Sequence, residues 1–190
     1  MDVSRGMRVA LEKYQQLLFK WNYVFNLTSD SQQSNFWNSH IMDSIQLLGY
    51  IENYNLSVVD VGSGNGLPGL VLSICGVKNV TLIESNQKKC AFLLQASRLS
   101  NTKINIINDR VENVNASYDI LVSKGFANLS NMFDYTRSLL VRKKYILLKG
   151  EKYYSEIADA KMHWKFDCNV YNSTTSDTGK VLEITNLSLG

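Results

Sequence analysis

Asp60, Gly62, Gly64 and Gly66 stand at two-residue intervals in the segment Val58-Val59-Asp60-Val61-Gly62-Ser63-Gly64-Asn65-Gly66-Leu67-Pro68-Gly69, an apolar run that ends in a glycine-rich turn. Glycine permits the tight turn and lets a ligand come close where a Cβ would collide. Pro68 suits the first turn of a following helix, where its missing N–H forfeits no intrahelical bond. At the carboxyl end of a parallel strand, such a turn opens onto the crevice in which open α/β sheets bind ligands. A dinucleotide fingerprint requires Gly-x-Gly-x-x-Gly, and counted from Gly62 its third glycine falls at Leu67; a phosphate loop requires Gly-Lys-Ser/Thr, which does not follow here. Glu84 ends the next apolar run, Val80-Thr81-Leu82-Ile83, where a carboxylate can accept both hydroxyl hydrogens of a ribose. Beyond a third run lies Asn108-Asp109-Arg110-Val111-Glu112, in which a purine can rest on Val111 and take a backbone hydrogen bond.

The elements that must hold these residues follow from hydrophobic period. In residues 9–25, Leu11, Tyr14, Leu17, Leu18, Trp21 and Phe25 recur at three- and four-residue steps, which predicts an amphipathic helix, and a looser helical pattern covers 35–54. From residue 58 the pattern alternates: strands at 58–61, 80–83, 104–107, 120–122 and 145–148, and helices at 67–75, 91–99, 132–140 and 157–164. Parallel strands need helix-length crossovers, so this alternation predicts a mainly parallel sheet covered on both faces. Residues 165–172 and 180–187 flank a polar turn and predict a closing antiparallel hairpin. The expected organisation is one α/β domain spanning 1–190, a helical leader over 1–55 and a Rossmann-like body over 56–190. Lys124 and Lys149 end the fourth and fifth strands, so their charge faces the crevice. The basic run Arg142-Lys143-Lys144 precedes the fifth strand and reads as a solvated loop at the opposite edge. Asp43 is expected to tie the leader to the body, and Asp119 to serve structure.

Composition narrows the class. The chain has 190 residues, 45% of them hydrophobic and 19% charged, which suits one globular core. Its three cysteines, Cys75, Cys90 and Cys168, are too dispersed for a disulfide framework or a Cys-x-x-Cys metal site and imply a reducing compartment. The amino-terminal residues lack the apolar stretch of a secretory signal, and no segment reaches the roughly 20 apolar residues of a spanning helix. The expectation is a cytoplasmic monomer without metal or membrane contact. A net charge of +3 permits a polyanionic partner without demanding one.

The spaced Asp60, Gly62, Gly64, Gly66, followed by Glu84 and Asp109, resembles the cofactor half of the class I S-adenosylmethionine-dependent methyltransferases. More narrowly, Lys20-Trp21-Asn22, Asn26-Leu27-Thr28, His40-Ile41-Met42-Asp43-Ser44, the 60–69 segment and Leu148-Lys149-Gly150 resemble the bacterial RsmG family, also called glucose-inhibited division protein B, over nearly the whole chain. The resemblance implies methylation of guanine N7 in small-subunit ribosomal RNA, with the RNA or the small ribosomal subunit as partner. It implies cofactor contacts at Asp60, Gly62, Gly64, Gly66, Leu67, Glu84, Asp109, Val111, Glu112 and Lys124, and RNA contacts at Asn26, His40, Lys124 and Lys149. The family's Ser-Arg-Ala after the fourth strand is replaced by Ser123-Lys124-Gly125, which keeps the charge and loses the planar guanidinium fork. No Asn-Pro-Pro-Tyr segment and no Pro-Cys pair follow, which disfavours amino-group methylation of adenine and covalent C5 chemistry on pyrimidines. Guanine N7 loses no proton on methylation, so alignment and desolvation suffice and no general base is expected. A small-molecule methyltransferase of the same fold and a non-catalytic RNA-binding assembly protein remain the competing readings; a nicotinamide enzyme is disfavoured by Leu67.

Overall fold

A computed structural model describes residues 3–25, 27 and 35–190. Seven strands form one sheet: β1 (Ser57–Val61), β2 (Asn79–Ile83), β3 (Ile104–Ile107), β4 (Ala116–Lys124), β5 (Leu139–Lys149), β6 (Trp164–Asn172) and β7 (Lys180–Leu189). Their order is β3-β2-β1-β4-β5-β7-β6, with β1 to β5 mutually parallel and β7 antiparallel to both β5 and β6. The expected α/β body and its closing hairpin are therefore both present. Among the described residues no helix is long and apolar enough to cross a membrane.

The leader helix α1 (Arg5–Phe25) starts before the expected residue 9 and buries the anticipated stripe through Leu11, Tyr14 and Leu18, each 0% exposed. Burial of side chains of this size is worth about 1.5–3 kcal/mol each, which seats the helix on the body. Phe25, expected in the stripe, stays 39% exposed under the Lys88 ammonium, 5.7 Å from its ring. The second leader stretch, α2, is helical but irregular: wide π-type turns over Trp37–Met42, a short α segment Asp43–Ile45, and a tight 3₁₀ end Gln46–Tyr50. That change of winding explains why its apolar spacing is loose in the sequence. α3 (Gly69–Ile74) and α4 (Gln87–Ala96) cover the leader-side face together with α1. The other face carries α5 (Leu129–Tyr135) and α6 (Tyr153–Ala160). Alternate residues of β1 feed the two cores: Val58 enters the leader-side cluster, Val59 and Val61 the opposite one.

Two expectations need correction around β5. The helix expected to reach residue 140 stops at Tyr135, where Thr136 turns its hydroxyl back onto the Met132 carbonyl at 2.8 Å. Leu139 and Leu140 instead open β5, paired with Ala116 and Ser117 of a longer β4. The basic run 142–144 consequently lies within β5 and is no solvated loop. Arg142 donates to Asp119 at 2.9 Å, and Lys144 is buried between Glu52 of the leader and Glu183 of β7, the latter at 3.0 Å. Asp119 has the structural part expected of it, accepting from the Ser57 amide at 2.9 Å and the Ser57 hydroxyl at 2.8 Å.

Candidate cofactor and base clefts

The glycine turn is pinned from three sides. Ser63 donates its amide to the Ile83 carbonyl at 3.1 Å, and its hydroxyl to the Asp60 main-chain oxygen at 2.9 Å. From the leader, the Tyr14 hydroxyl donates to the Asn65 carbonyl at 2.8 Å, while the Asn65 amide group donates to the Leu27 carbonyl at 2.8 Å. The leader thus fixes the turn directly, a role absent from the sequence reading. Burial, with the Asp60 carboxyl adding to it, holds the Tyr14 hydroxyl well above the usual range, so this donor keeps its proton. Asp60 is fully buried; Gly69 donates its amide to Oδ2 at 2.9 Å, and Oδ1 has no partner among the described residues. Desolvation outweighs that bond and pushes the carboxyl up to about 8, with the Glu84 charge contributing, so at neutral pH the group is largely uncharged.

Glu84 lies one residue past β2, is 8% exposed, and turns its carboxylate onto the turn. Oε2 accepts from the Gly64 amide at 2.8 Å and Oε1 from the Asn86 amide at 2.8 Å. Each oxygen keeps a second lone pair, which is what a ribose diol requires. Gly62, Ile83, Glu84, Asp109, Val111 and Glu112 line a cleft of about 400 Å³. A Cβ on Gly64 would meet only the Gly62 carbonyl, at 3.8 Å; Gly64, expected to touch the cofactor, does not line the cleft and reaches it through its amide on Glu84. An inward carboxylate with spare lone pairs and an apolar Val111 fit S-adenosylmethionine.

The candidate cofactor residues divide. Gly62, Glu84, Asp109, Val111 and Glu112 line this cleft. Asp60 lies buried beneath it; Gly66, donating to the Ser63 carbonyl at 2.7 Å, and the 9%-exposed Leu67 shape the turn from behind. Lys124 is not brought here. It lines a second cleft of about 520 Å³ with His40, Lys149 and Lys180, at the carboxyl ends of β4 and β5. The strand order explains the split: β2 and β3 lie on one side of β1, β4 and β5 on the other.

In the second cleft the cations are already engaged. Lys124 donates to the Ser39 carbonyl at 2.6 Å, His40 Nδ1 at 3.1 Å and Asp43 Oδ2 at 2.6 Å. Asp43 Oδ1 accepts from Gln46 at 2.6 Å and from the Thr175 hydroxyl at 2.7 Å, which joins leader, β4 and the hairpin turn as the sequence led one to expect. Lys149 donates to the Ala127 carbonyl at 2.6 Å and to Glu156 at 2.7 Å. Because an ammonium only donates, His40 Nδ1 accepts and Nε2 carries the ring hydrogen. Nε2 is buried with no partner among the described residues, and desolvation, then the Lys124 charge, pull the ring down to about 4 against the opposing pull of Asp43. Asn26 lies outside the described residues. Lys180, in the hairpin, is a cleft cation that the sequence reading left unassigned, and Phe126 is a wall residue it passed over.

The sequence profile of the family described as rRNA small subunit methyltransferase G (GidB) matches residues 7–184. The chain belongs to this family. It is 48% identical over 188 residues to the ribosomal RNA small subunit methyltransferase G of Rickettsia prowazekii (strain Madrid E), covering 99% of this chain and 98% of that protein. Its identity to the protein of the same name from Orientia tsutsugamushi (strain Boryong) is 49% over 183 residues, 96% and 92% of the two chains. Among solved structures, the fold is similar to magnesium protoporphyrin IX methyltransferase from Synechocystis PCC 6803 with bound SAM (TM-score 0.65, 13% identity, 97% and 98% of the two chains). It is also similar to ribosomal protein L11 methylase from Lactobacillus delbrueckii subsp. bulgaricus (TM-score 0.62, 16% identity, 77% and 78%). At such identities these two likenesses concern the fold alone.

Family membership gives Glu84 a sharp test. Glu84→Ala removes the carboxylate expected to hold the ribose and also releases the Gly64 and Asn86 amides. Affinity for S-adenosylhomocysteine should fall by at least about 1.5–3 kcal/mol, the range for hydrogen bonds to a charged group, as read by calorimetry. Unchanged affinity would remove Glu84 from the donor site.

Proposed function

We infer that this chain transfers a methyl group from S-adenosylmethionine to N7 of a guanine in small-subunit ribosomal RNA. The observation that carries the reading is the near-full-length family match, laid over two clefts that adjoin at the carboxyl edge of the sheet. When bound, the donor supplies a methyl group made electrophilic by its sulfonium. We assign Glu84 to the donor's ribose and Val111 to its purine, and His40, Lys124, Lys149 and Asn26 to the RNA side. N7 presents its lone pair with no proton to remove, so the chain's residues have to align the base and exclude water. Positive charge spreads into the purine during transfer, and a bare cation beside it would oppose the reaction. Pairing of Lys124 with Asp43 and of Lys149 with Glu156 offsets that charge. We read the whole chain, 1–190, as one domain acting as a cytoplasmic monomer without metal; the hold of Tyr14 on the glycine turn supports treating leader and body as one unit.

Labelled S-adenosylmethionine offered with total RNA, small ribosomal subunits or a metabolite extract tests the assignment. Label should enter RNA or subunits, map by reduction and aniline scission to one guanine, and decline steeply with salt as phosphate contacts release counterions. Label confined to metabolites would overturn the RNA reading.

A further inference from the structure

The donor cleft and the base cleft share two lining residues, Gly125 and Phe126. A Cβ built on Gly62 would lie 2.2 Å from Phe126 Cδ2 and 2.9 Å from Cγ, so the ring rests on the bare backbone at the start of the glycine turn. It is half-buried, steadied edge-on by Tyr135 at a ring distance of 6.0 Å and an interplanar angle of 69°. Its neighbour Gly125 is exposed at φ +65, with nothing within 4 Å of a Cβ built there, so the chain entering Phe126 has room to turn. Among the described residues lining the base cleft, Phe126 is the one phenyl or indole ring.

We propose that Phe126 couples the two clefts: its ring packs on Gly62, a donor seated on the turn contends with it for that place and turns it toward the base cleft, and there it forms the face on which the guanine stacks. The inference rests on the methyltransferase reading above. A ligand seated on the turn at Gly62 contends with the ring for the same space. Displaced, the ring has the base cleft on its other side, and an aromatic face is the surface a purine stacks on. Donor occupancy therefore builds part of the base site, and donor and RNA bind with positive coupling. Coupling of this kind is reciprocal, so it can be measured from either ligand.

The test measures affinity for a small-subunit RNA fragment with and without saturating S-adenosylhomocysteine. On the unaltered protein the RNA should bind about fivefold tighter or more when the donor cleft is filled. In Phe126→Ala the ratio should fall to near one, while S-adenosylhomocysteine binds the RNA-free variant at least as tightly as the original, because nothing contends for Gly62. Phe126→Tyr, which keeps the ring, should restore the ratio. Phe126→Leu serves if the alanine variant does not fold, with the same expected loss of coupling. No coupling in the unaltered protein, coupling retained without the ring, or weaker S-adenosylhomocysteine binding by Phe126→Ala would each overturn the proposal. Protein that binds S-adenosylhomocysteine but no RNA in either state would fail the RNA reading instead; the S-adenosylhomocysteine affinities of the variants would still decide whether Phe126 covers Gly62.

Discussion

Gly64→Val should abolish donor binding: calorimetry that detects S-adenosylhomocysteine on the unaltered protein should detect none on the variant at the same concentrations. Two effects act in sequence. Gly64 sits at φ +53, a region that β-branched residues enter only with strain, costing about 1–3 kcal/mol. A Cβ there meets only the Gly62 carbonyl, at 3.8 Å, and Gly64 itself does not line the cleft, so the valine acts on the donor through the backbone that carries the Gly64 amide to Glu84. Relief of the strain would draw that amide away from Glu84 Oε2 and disturb the carboxylate assigned to the ribose. Gly64→Ala grades the effect, since its side chain is not β-branched. It should bind more weakly than the original and more tightly than the valine variant. The sheet is built from β1 residues on the other side of the turn, so both variants should keep the circular dichroism of the original. NAD bound as strongly as S-adenosylhomocysteine would overturn the donor assignment.

The cleft we assign to the donor is made by neighbours in a regular pattern, which is why its residues stand out in the sequence. β1, β2 and β3 are adjacent and in parallel register, so the residues that follow them, Gly62, Glu84 and Asp109, come together by strand geometry alone. β3 was expected at the bounds it has, since Ile104-Asn105-Ile106-Ile107 lies between polar turns. The base cleft is assembled otherwise. The ends of β4 and β5 meet there by strand pairing, but the irregular leader helix and the hairpin turn join them through side-chain bonds such as Thr175 to Asp43 rather than through any local period. Lys124 was accordingly assigned to both sides of the reaction. The glycines drew attention to themselves, whereas Phe126 looks like one more apolar residue before a helix. Only its contact with Gly62 sets it apart. The 142–144 run misled for a related reason: charge in a strand edge looks like loop until its partners Asp119, Glu52 and Glu183 are in place.

Lys124→Ala should lose RNA methylation chiefly through the shape of the base cleft, and the proof lies in how the loss depends on pH. Lys124 Nζ is held by Ser39, His40 and Asp43, three partners that aim it at the protein rather than at a substrate atom. Single-turnover rates with saturating RNA should therefore stay nearly flat from mildly acidic to mildly basic pH. Lys124→Arg, which keeps the charge, should retain activity, whereas the alanine variant leaves Asp43 Oδ2 and the Ser39 carbonyl without the lysine. Removing one partner of a buried ion pair costs about 3–5 kcal/mol. With side chains 21% and 13% exposed, solvent reduces the expected figure to about 2–3 kcal/mol, or roughly 4–12 °C in Tm. His40 supplies the signature. In the unaltered protein its ring is held down at about 4, so as pH falls through about 6.5 the unfolded chain takes a proton that the folded chain refuses, and stability declines toward pH 4. Without Lys124 one downward influence on the ring is gone while Asp43 still pulls it upward, so folded His40 accepts the proton sooner and its charge partly replaces the ammonium beside Asp43. The stability gap between Lys124→Ala and the original should accordingly narrow as pH is lowered from 7.5 to 5.5, as followed by thermal melts. A gap that widens on acidification would show that His40 does not answer to Lys124. A steep rise of the single-turnover rate with one ionisation, lost in Lys124→Ala, would make this lysine a base and overturn a mechanism that rests on alignment.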